Sequence, residues 1–273
     1  AMKIDGGLGV ESGFDGIKES CQQQEELGYD GLWVPETAHD PFTMLPLMAE
    51  ATENVELGTG IVVGFARNPM DLAYSANDIQ LLSKGRFTLG LGSQIKPHIT
   101  KRFSMEWSKP AARMREMILA TKAIWNSWNT GEKLDFRGDF YQHTLMTPFF
   151  HPGENPYGAP RMALAGVGPL MTEVAGETCD VFLAHGFTTE KYLREETIPA
   201  LERGAEKAGR SLSDVEISGP LFVVTGNNED QMEAAKQAVE RAASNPQQVI
   251  NMSNTDFATE DETYSRMMEV SMT

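Results

Sequence analysis

Glu36, Thr37, His39 and Asp40 stand together just after the apolar run GLWVP. A carboxylate and an imidazole at that spacing can accept or hand on a proton, and either can orient a polar substrate. Plainer uses are open to the same residues: Glu36 as an ion-pair partner, and His39 or Asp40 as the cap of a helix containing MLPLMAEA. A second constellation is MALAGVGPLMTEVAGE from Met162. Its apolar run dissolves into Ala165, Gly166, Val167, Gly168 and Pro169, and a helical pattern follows at once. Small residues allow close approach to the backbone, and a fresh helix start offers unpaired N–H groups with a favourable dipole, so an anion such as a phosphate suits the turn. A plain strand-to-helix turn that needs glycine for packing is the alternative. Other reactive patterns are missing. There is no GxSxG, the five histidines lack metal-ligand spacing, and Cys179 precedes a strand instead of following one. GLGS, with Gly92, lacks the remainder of a dinucleotide fingerprint.

The elements that would carry these residues are short, continuously apolar runs: MKIDGG from Met2, DGLWVPE from Asp30, VELGTGIVVGF from Val55, RFTLGLGS from Arg86, RMALAGVG from Arg161, DVFLAHGF from Asp180 and VEISGPLFVVTG from Val215. Such runs are expected of parallel strands covered on both faces. Between them lie amphipathic stretches with helix punctuation, such as Gly28 after one helix and Pro69 at the start of another. Seven βα units suit a TIM-like (β/α)8 barrel in a single domain spanning 1–273, with functional groups at the C-terminal strand ends. Those ends supply Glu36 and His39, then Thr59, Gly60 and Ile61, then Gly92, Ser93, Gln94 and His98, then Ala165 to Pro169, then His185, and last a site near Thr225.

Two segments break the pattern. Residues 129–160, after the fourth strand and its long helix, form an insertion rich in aromatics, Gly and Pro, with FRGDFY reading as a small hairpin. Its Phe136, Phe140, Tyr141, Phe149 and Phe150 are candidates to cover a substrate, or to serve as a flap in a dimer contact. Residues 244–273 form an atypical tail in which only QQVIN resembles a strand, so an eighth strand and helix are not convincingly present.

Composition narrows the class. The chain has 273 residues, 41% of them hydrophobic, with a net charge of −16, which disfavours nucleic acid and anionic membranes as partners. Two distant cysteines, no visible signal peptide and no run of membrane-spanning length point to a reduced, cytoplasmic setting.

GYDGLWVPE, LGTGIVVGFARNP, GRFTLGLGSQIKPHITKRF, and ALAGVGPLMTEVAGETCD followed by VFLAHGFTTEKYLREETIPALE together resemble the bacterial-luciferase-like superfamily, from Met2 to about Ala243. Within it they are most similar to the oxidoreductases assigned to the deazaflavin coenzyme F420. The resemblance implies a TIM-like barrel with an insertion, usually dimeric, holding F420 or FMN at its C-terminal mouth. It places a strand-two acid near the ring, matching Glu36, with His39 beside it as a proton-handling or substrate-orienting group. It implies a strand-three bulge, often with a non-proline cis peptide, matching Gly60-Ile61 after Thr59. Polar residues after strand four would face the cofactor, matching Gln94 and His98 beyond Gly92, and the turn from Ala165 to Pro169 would receive the phosphate. Two departures stand out: Cys179-Asp180-Val181 replaces a common Ala-Asp-Gly, and no counterpart of the family's final strand and helix follows Ala243. The expected function is hydride transfer between the cofactor and a small organic substrate in a homodimer. The alternatives are an FMN-dependent monooxygenase of the same fold, a non-catalytic flavin-binding protein, and a barrel enzyme acting on sugar phosphates.

Overall fold

The central apolar runs become strands because their neighbours bury both faces, as over Phe87–Gly92, while the first and last are only half-buried. The computed structural model describes residues 2–9, 13–220 and 228–244. Strands β1 (Asp5–Gly7), β2 (Gly31–Val34) and β3 (Glu56–Thr59) alternate with helices α1 (Ile17–Glu26) and α2 (Pro41–Ala51). The third run continues, after an interruption, as β4 (Val62–Val63), followed by α3 (Pro69–Leu82), β5 (Phe87–Gly92) and the long α4 (Pro110–Thr130). Then come a hairpin, β6 (Phe136–Arg137) and β7 (Gln142–His143), and a return to the βα alternation with β8 (Arg161–Ala165), α5 (Pro169–Thr178) and β9 (Val181–Leu183). The short α6 (Glu190–Tyr192), α7 (Ile198–Lys207), β10 (Glu216–Ser218) and α8 (Glu229–Ser244) follow. The expected tail, with QQVIN, and the site near Thr225 lie outside the described residues.

All strands of the main sheet run parallel in the order β1-β2-β3-β5-β8-β9-β10, with β4 also paired to β5. The sheet is curled as in a TIM barrel, and its path among the described residues ends at β1 and β10. The curl is visible at the base. Lys3 Nζ lies 2.9 Å from Glu56 and 3.4 Å from Glu216, and Arg161 Nη2 lies 2.9 Å from the same Glu216. Side chains from the starts of four strands therefore meet. All are substantially exposed, so the network fixes geometry more than it stabilises.

Glycine lets the outer layer press close. A Cβ on Gly204 of α7 would overlap the Glu173 carbonyl of α5, and one on Gly176 would overlap the Leu201 carbonyl in return. The two helices thus touch through bare backbone, which fixes where α5 begins.

The insertion is held from the side of α4. Its hairpin forms as the sequence suggests, with Phe136 opposite His143. Glu116, on the flank of α4, then accepts the N–H groups of Asp139, Phe140 and Tyr141 at 2.9, 2.7 and 2.6 Å. That grip holds the turn against α4, and Phe149 and Phe150 face solvent.

Candidate functional site

The interruption between β3 and β4 is the first piece of the site. Gly58 pairs with Thr88, whereas Val62 pairs with Leu91, so four steps on one strand face three on the other. One extra residue is accommodated, and the result is a bulge. The Gly60-Ile61 peptide within it is cis. Thr59 ties the bulge to its neighbour, since its Oγ1 donates to the Gly90 carbonyl at 2.8 Å and accepts the Gly90 N–H at 2.7 Å. Thr59 is wholly buried and contributes through that pairing.

Glu36 sits directly behind the bulge. Its N–H donates to the Ile61 carbonyl at 3.0 Å, and its Oε2 accepts the Val63 N–H at 2.9 Å. Arg67 Nη2 approaches the same oxygen at 3.4 Å and Asp40 Oδ2 at 2.9 Å, and its guanidinium also lies over the Phe42 ring. Burial alone would lower the Arg67 pKa, but hydrogen bonds and charges from Asp40 and Glu36 raise it above its ordinary value. Asp40 caps α2 by accepting the Phe42 N–H at 3.0 Å, one of the uses foreseen for it. His39 stacks at a tilt on Phe14, with ring centroids 4.8 Å apart. His98 opens the short turn His98–Arg102, and burial followed by the Arg102 charge holds its pKa low.

A cavity of about 2310 Å³ runs through the curled sheet. That exceeds the roughly 300–1,000 Å³ of an ordinary ligand pocket, ample for a cofactor. Of the sequence-predicted site residues, Gly60, Ile61, Gly92, Gln94 and Ala165 through Pro169 line it. Glu36, His39, Thr59 and His98 do not, and neither do the insertion aromatics Phe136, Phe140, Tyr141, Phe149 and Phe150. The wall between Ile61 and Gly92 is stripped of bulk: a Cβ on Gly92 would stand 2.8 Å from Ile61 Cδ1.

The opposite wall is the start of α5. Gly168 is its N-cap, no side chain caps it, and Pro169 occupies the first turn. First-turn amides have no partner within a helix, so those of Leu170 and Met171, both at the cavity wall, are available to an anion. Tyr192 Oη donates to the Val167 carbonyl at 2.9 Å and steadies the turn.

Among the lining residues that escaped the sequence reading as ligand contacts are Trp33, Trp107, Lys109 and Tyr192. Trp33 is the floor. Register places Gly7 on one side of it and Gly58 on the other, and the indole spreads over Gly58 while its Nε1–H donates to Asp5 at 3.0 Å. Glycine at matching positions of neighbouring strands was the available signal. His185, noted only as a strand end, also lines the cavity. Its Nδ1 accepts the Phe187 N–H at 3.3 Å, and burial lowers its pKa.

Nothing else among the described residues competes as a reactive centre. Burial pushes the thiols of Cys21 and Cys179 up to about 11 and about 12, so neither is a thiolate at neutral pH. Among the described residues, no group of three or more His, Cys, Asp and Glu side chains could hold a metal ion, and no helix is long and apolar enough to cross a membrane.

Comparison with known proteins gives consistent matches. A family model described as luciferase-like monooxygenase matches residues 2–272, past the point where the resemblance in sequence stops. An uncharacterized protein of Mycobacterium tuberculosis is 46% identical over 240 residues, covering 88% of this chain and 70% of the relative. An F420-dependent glucose-6-phosphate dehydrogenase of Amycolatopsis mediterranei is 30% identical over 214 residues, covering 73% of this chain and 62% of the relative. Among solved structures, the coenzyme F420 dependent tetrahydromethanopterin reductase of Methanopyrus kandleri superposes with a TM-score of 0.72 at 20% identity, covering 88% of this chain and 72% of that one. The oxygenating constituent of a Pseudomonas putida 3,6-diketocamphane monooxygenase, in complex with FMN, also reaches 0.72, at 17% identity and covering 92% and 77%.

Proposed function

The chain belongs to the luciferase-like monooxygenase family, and from that membership we propose that it is an oxidoreductase that holds coenzyme F420 at the C-terminal mouth of its curled sheet. The observation that carries the reading is the pairing of a side-chain-poor bulge with uncapped helix amides across one cavity. A flat ring needs a wall without projecting side chains, which Gly60, Ile61 and Gly92 supply. A phosphate needs bare N–H donors, which the first turn of α5 supplies. When bound, the deazaflavin would supply hydride transfer to or from a small organic substrate.

The protein's share is orientation, water exclusion and proton placement. The Trp33 indole limits the depth of insertion, and Trp107 screens one side from solvent. His185 brings an imidazole to the same cavity. F420 is favoured over FMN by the relatives at about 30% identity and not by the fold, since F420- and FMN-associated structures superpose equally well. The exposed Leu145, Phe149 and Phe150 support a homodimer as part of the same proposal.

Titration of the purified protein with F420 and, separately, with FMN tests the reading through quenching of ligand fluorescence. Saturable quenching by F420 is expected. Preference for FMN would move the assignment to a flavin-dependent monooxygenase. Tight binding with no turnover across a substrate panel would indicate a binding protein, and indifference to both chromophores would overturn the proposal.

A further inference from the structure

We propose that Arg67 is a positioning residue. Through Glu36 it sets the ligand-facing wall formed by Gly60 and Ile61, although neither Arg67 nor Glu36 lines the cavity. The inference deepens the function proposed above and rests on it for the identity of the ligand. Three observations combine. Glu36 grips the bulge from both sides, through its own N–H to the Ile61 carbonyl at 3.0 Å and its carboxylate to the Val63 N–H at 2.9 Å. Its side chain is only 8% exposed, so it is a charge removed from water that needs a partner. The cation within reach is Arg67, itself 17% exposed, held in turn by Asp40 at 2.9 Å and by the Phe42 ring at 5.3 Å.

The geometry runs in one direction. Asp40 is anchored as the cap of α2 and orients the guanidinium. The guanidinium fixes the free rotation of the Glu36 carboxylate. The carboxylate fixes the Val62–Val63 peptide plane while the Glu36 N–H holds the Ile61 carbonyl, and the two together set the attitude of Ile61 against Gly92. A planar, delocalised cation suits this task because it meets two carboxylates at once while lying flat on an aromatic ring. Glu36 on this account is no acid–base group aimed at substrate. Its carboxylate is committed to the backbone.

Substitution tests the relay with three readouts: chromophore affinity for F420 and FMN, thermal stability, and amide hydrogen exchange over residues 60–64. Arg67→Met is expected to weaken binding of the preferred chromophore by about tenfold or more, the scale of a charge-assisted hydrogen bond. It should also speed exchange at Val63. Arg67→Lys should recover part of both effects. Glu36→Gln combined with Arg67→Met should be little worse than Arg67→Met alone, as expected for members of one chain of contacts. Should Arg67→Met fail to fold, Arg67→Lys and Glu36→Gln carry the same comparison. Unchanged exchange at Val63 in these variants overturns the relay whether or not a chromophore binds. Unchanged affinity beside a lowered melting temperature overturns it too, by reducing Arg67 to a packing role. Failure of the wild-type protein to bind either chromophore counts against the proposed function, and exchange still decides the relay.

Discussion

The two walls of the cavity are built on opposite plans. Behind the bulge, Glu36, Arg67 and Asp40 bring three full charges together within about hydrogen-bond reach, and every one is turned away from the cavity. Across from it, at the start of α5, the wall carries no formal charge and offers backbone N–H groups with no capping side chain. Full charges that have found each other serve as scaffold, because a compensated pair has little left to give a ligand. Partial charges without partners are the ones still available for recognition. A titratable cluster in the sequence is therefore a weaker pointer to the cavity wall here than a run of small residues before a helix.

Breaking the backbone-built wall should produce the largest effect. Gly204→Val would force α7 off α5 and shift the amide-bearing turn. A loss of about 3 kcal/mol is expected, toward the upper end of overpacking costs, read as a fall in denaturation midpoint together with lost chromophore affinity. The charge-built wall should yield next. Glu36→Ala leaves the Val63 N–H and the buried guanidinium short of an acceptor, and should cost about 2 kcal/mol by chemical denaturation. Tyr192→Phe removes one hydrogen bond to the Val167 carbonyl without changing shape, so stability should fall by about 1 kcal/mol and anion affinity with it. Retention of full affinity in Tyr192→Phe would show that the turn holds itself.

Acidity sharpens the comparison more gently. Burial holds the pKa values of His185 and His143, and burial with Arg102 that of His98, below the ordinary 6.5. Below that value the unfolded chain binds protons that the folded protein resists, so stability rises with pH through this window. It should be unaffected by these groups above about pH 6.5 and decline as the pH drops toward the folded-state values. Melting temperatures measured between pH 5 and 8 check this. His185→Gln should flatten the decline, and an equal decline in that variant would remove His185 from the account.

Much of this layout was legible in the sequence. The βα alternation pointed to a parallel, curled sheet because parallel strands between helices have few ways to connect. The turn from Ala165 to Pro169 was readable because its signal is local: small residues, then a proline, then helical periodicity. Glu36 was legible as important but not as to its direction. The residue that turns it away, Arg67, lies thirty-one positions later and meets it only through the fold. Trp33 was missed because its room comes from Gly7 and Gly58 on other strands, a fact of register. The insertion's place was illegible for a similar reason: its aromatic content suggested a cover or a flap in a dimer contact, and the Glu116 side chain that grips its turn comes from α4.

The ionic contacts at the base bear on the order in which the molecule can assemble. Lys3 meets a carboxylate 213 residues further along the chain, among the most distant pairings the protein makes. On a ribosome, β1 would emerge and wait while the intervening chain was synthesised before that contact became possible. The bending of the sheet would then be a late event in a slow search, with the early strands dependent on their helices for cover until β10 arrived.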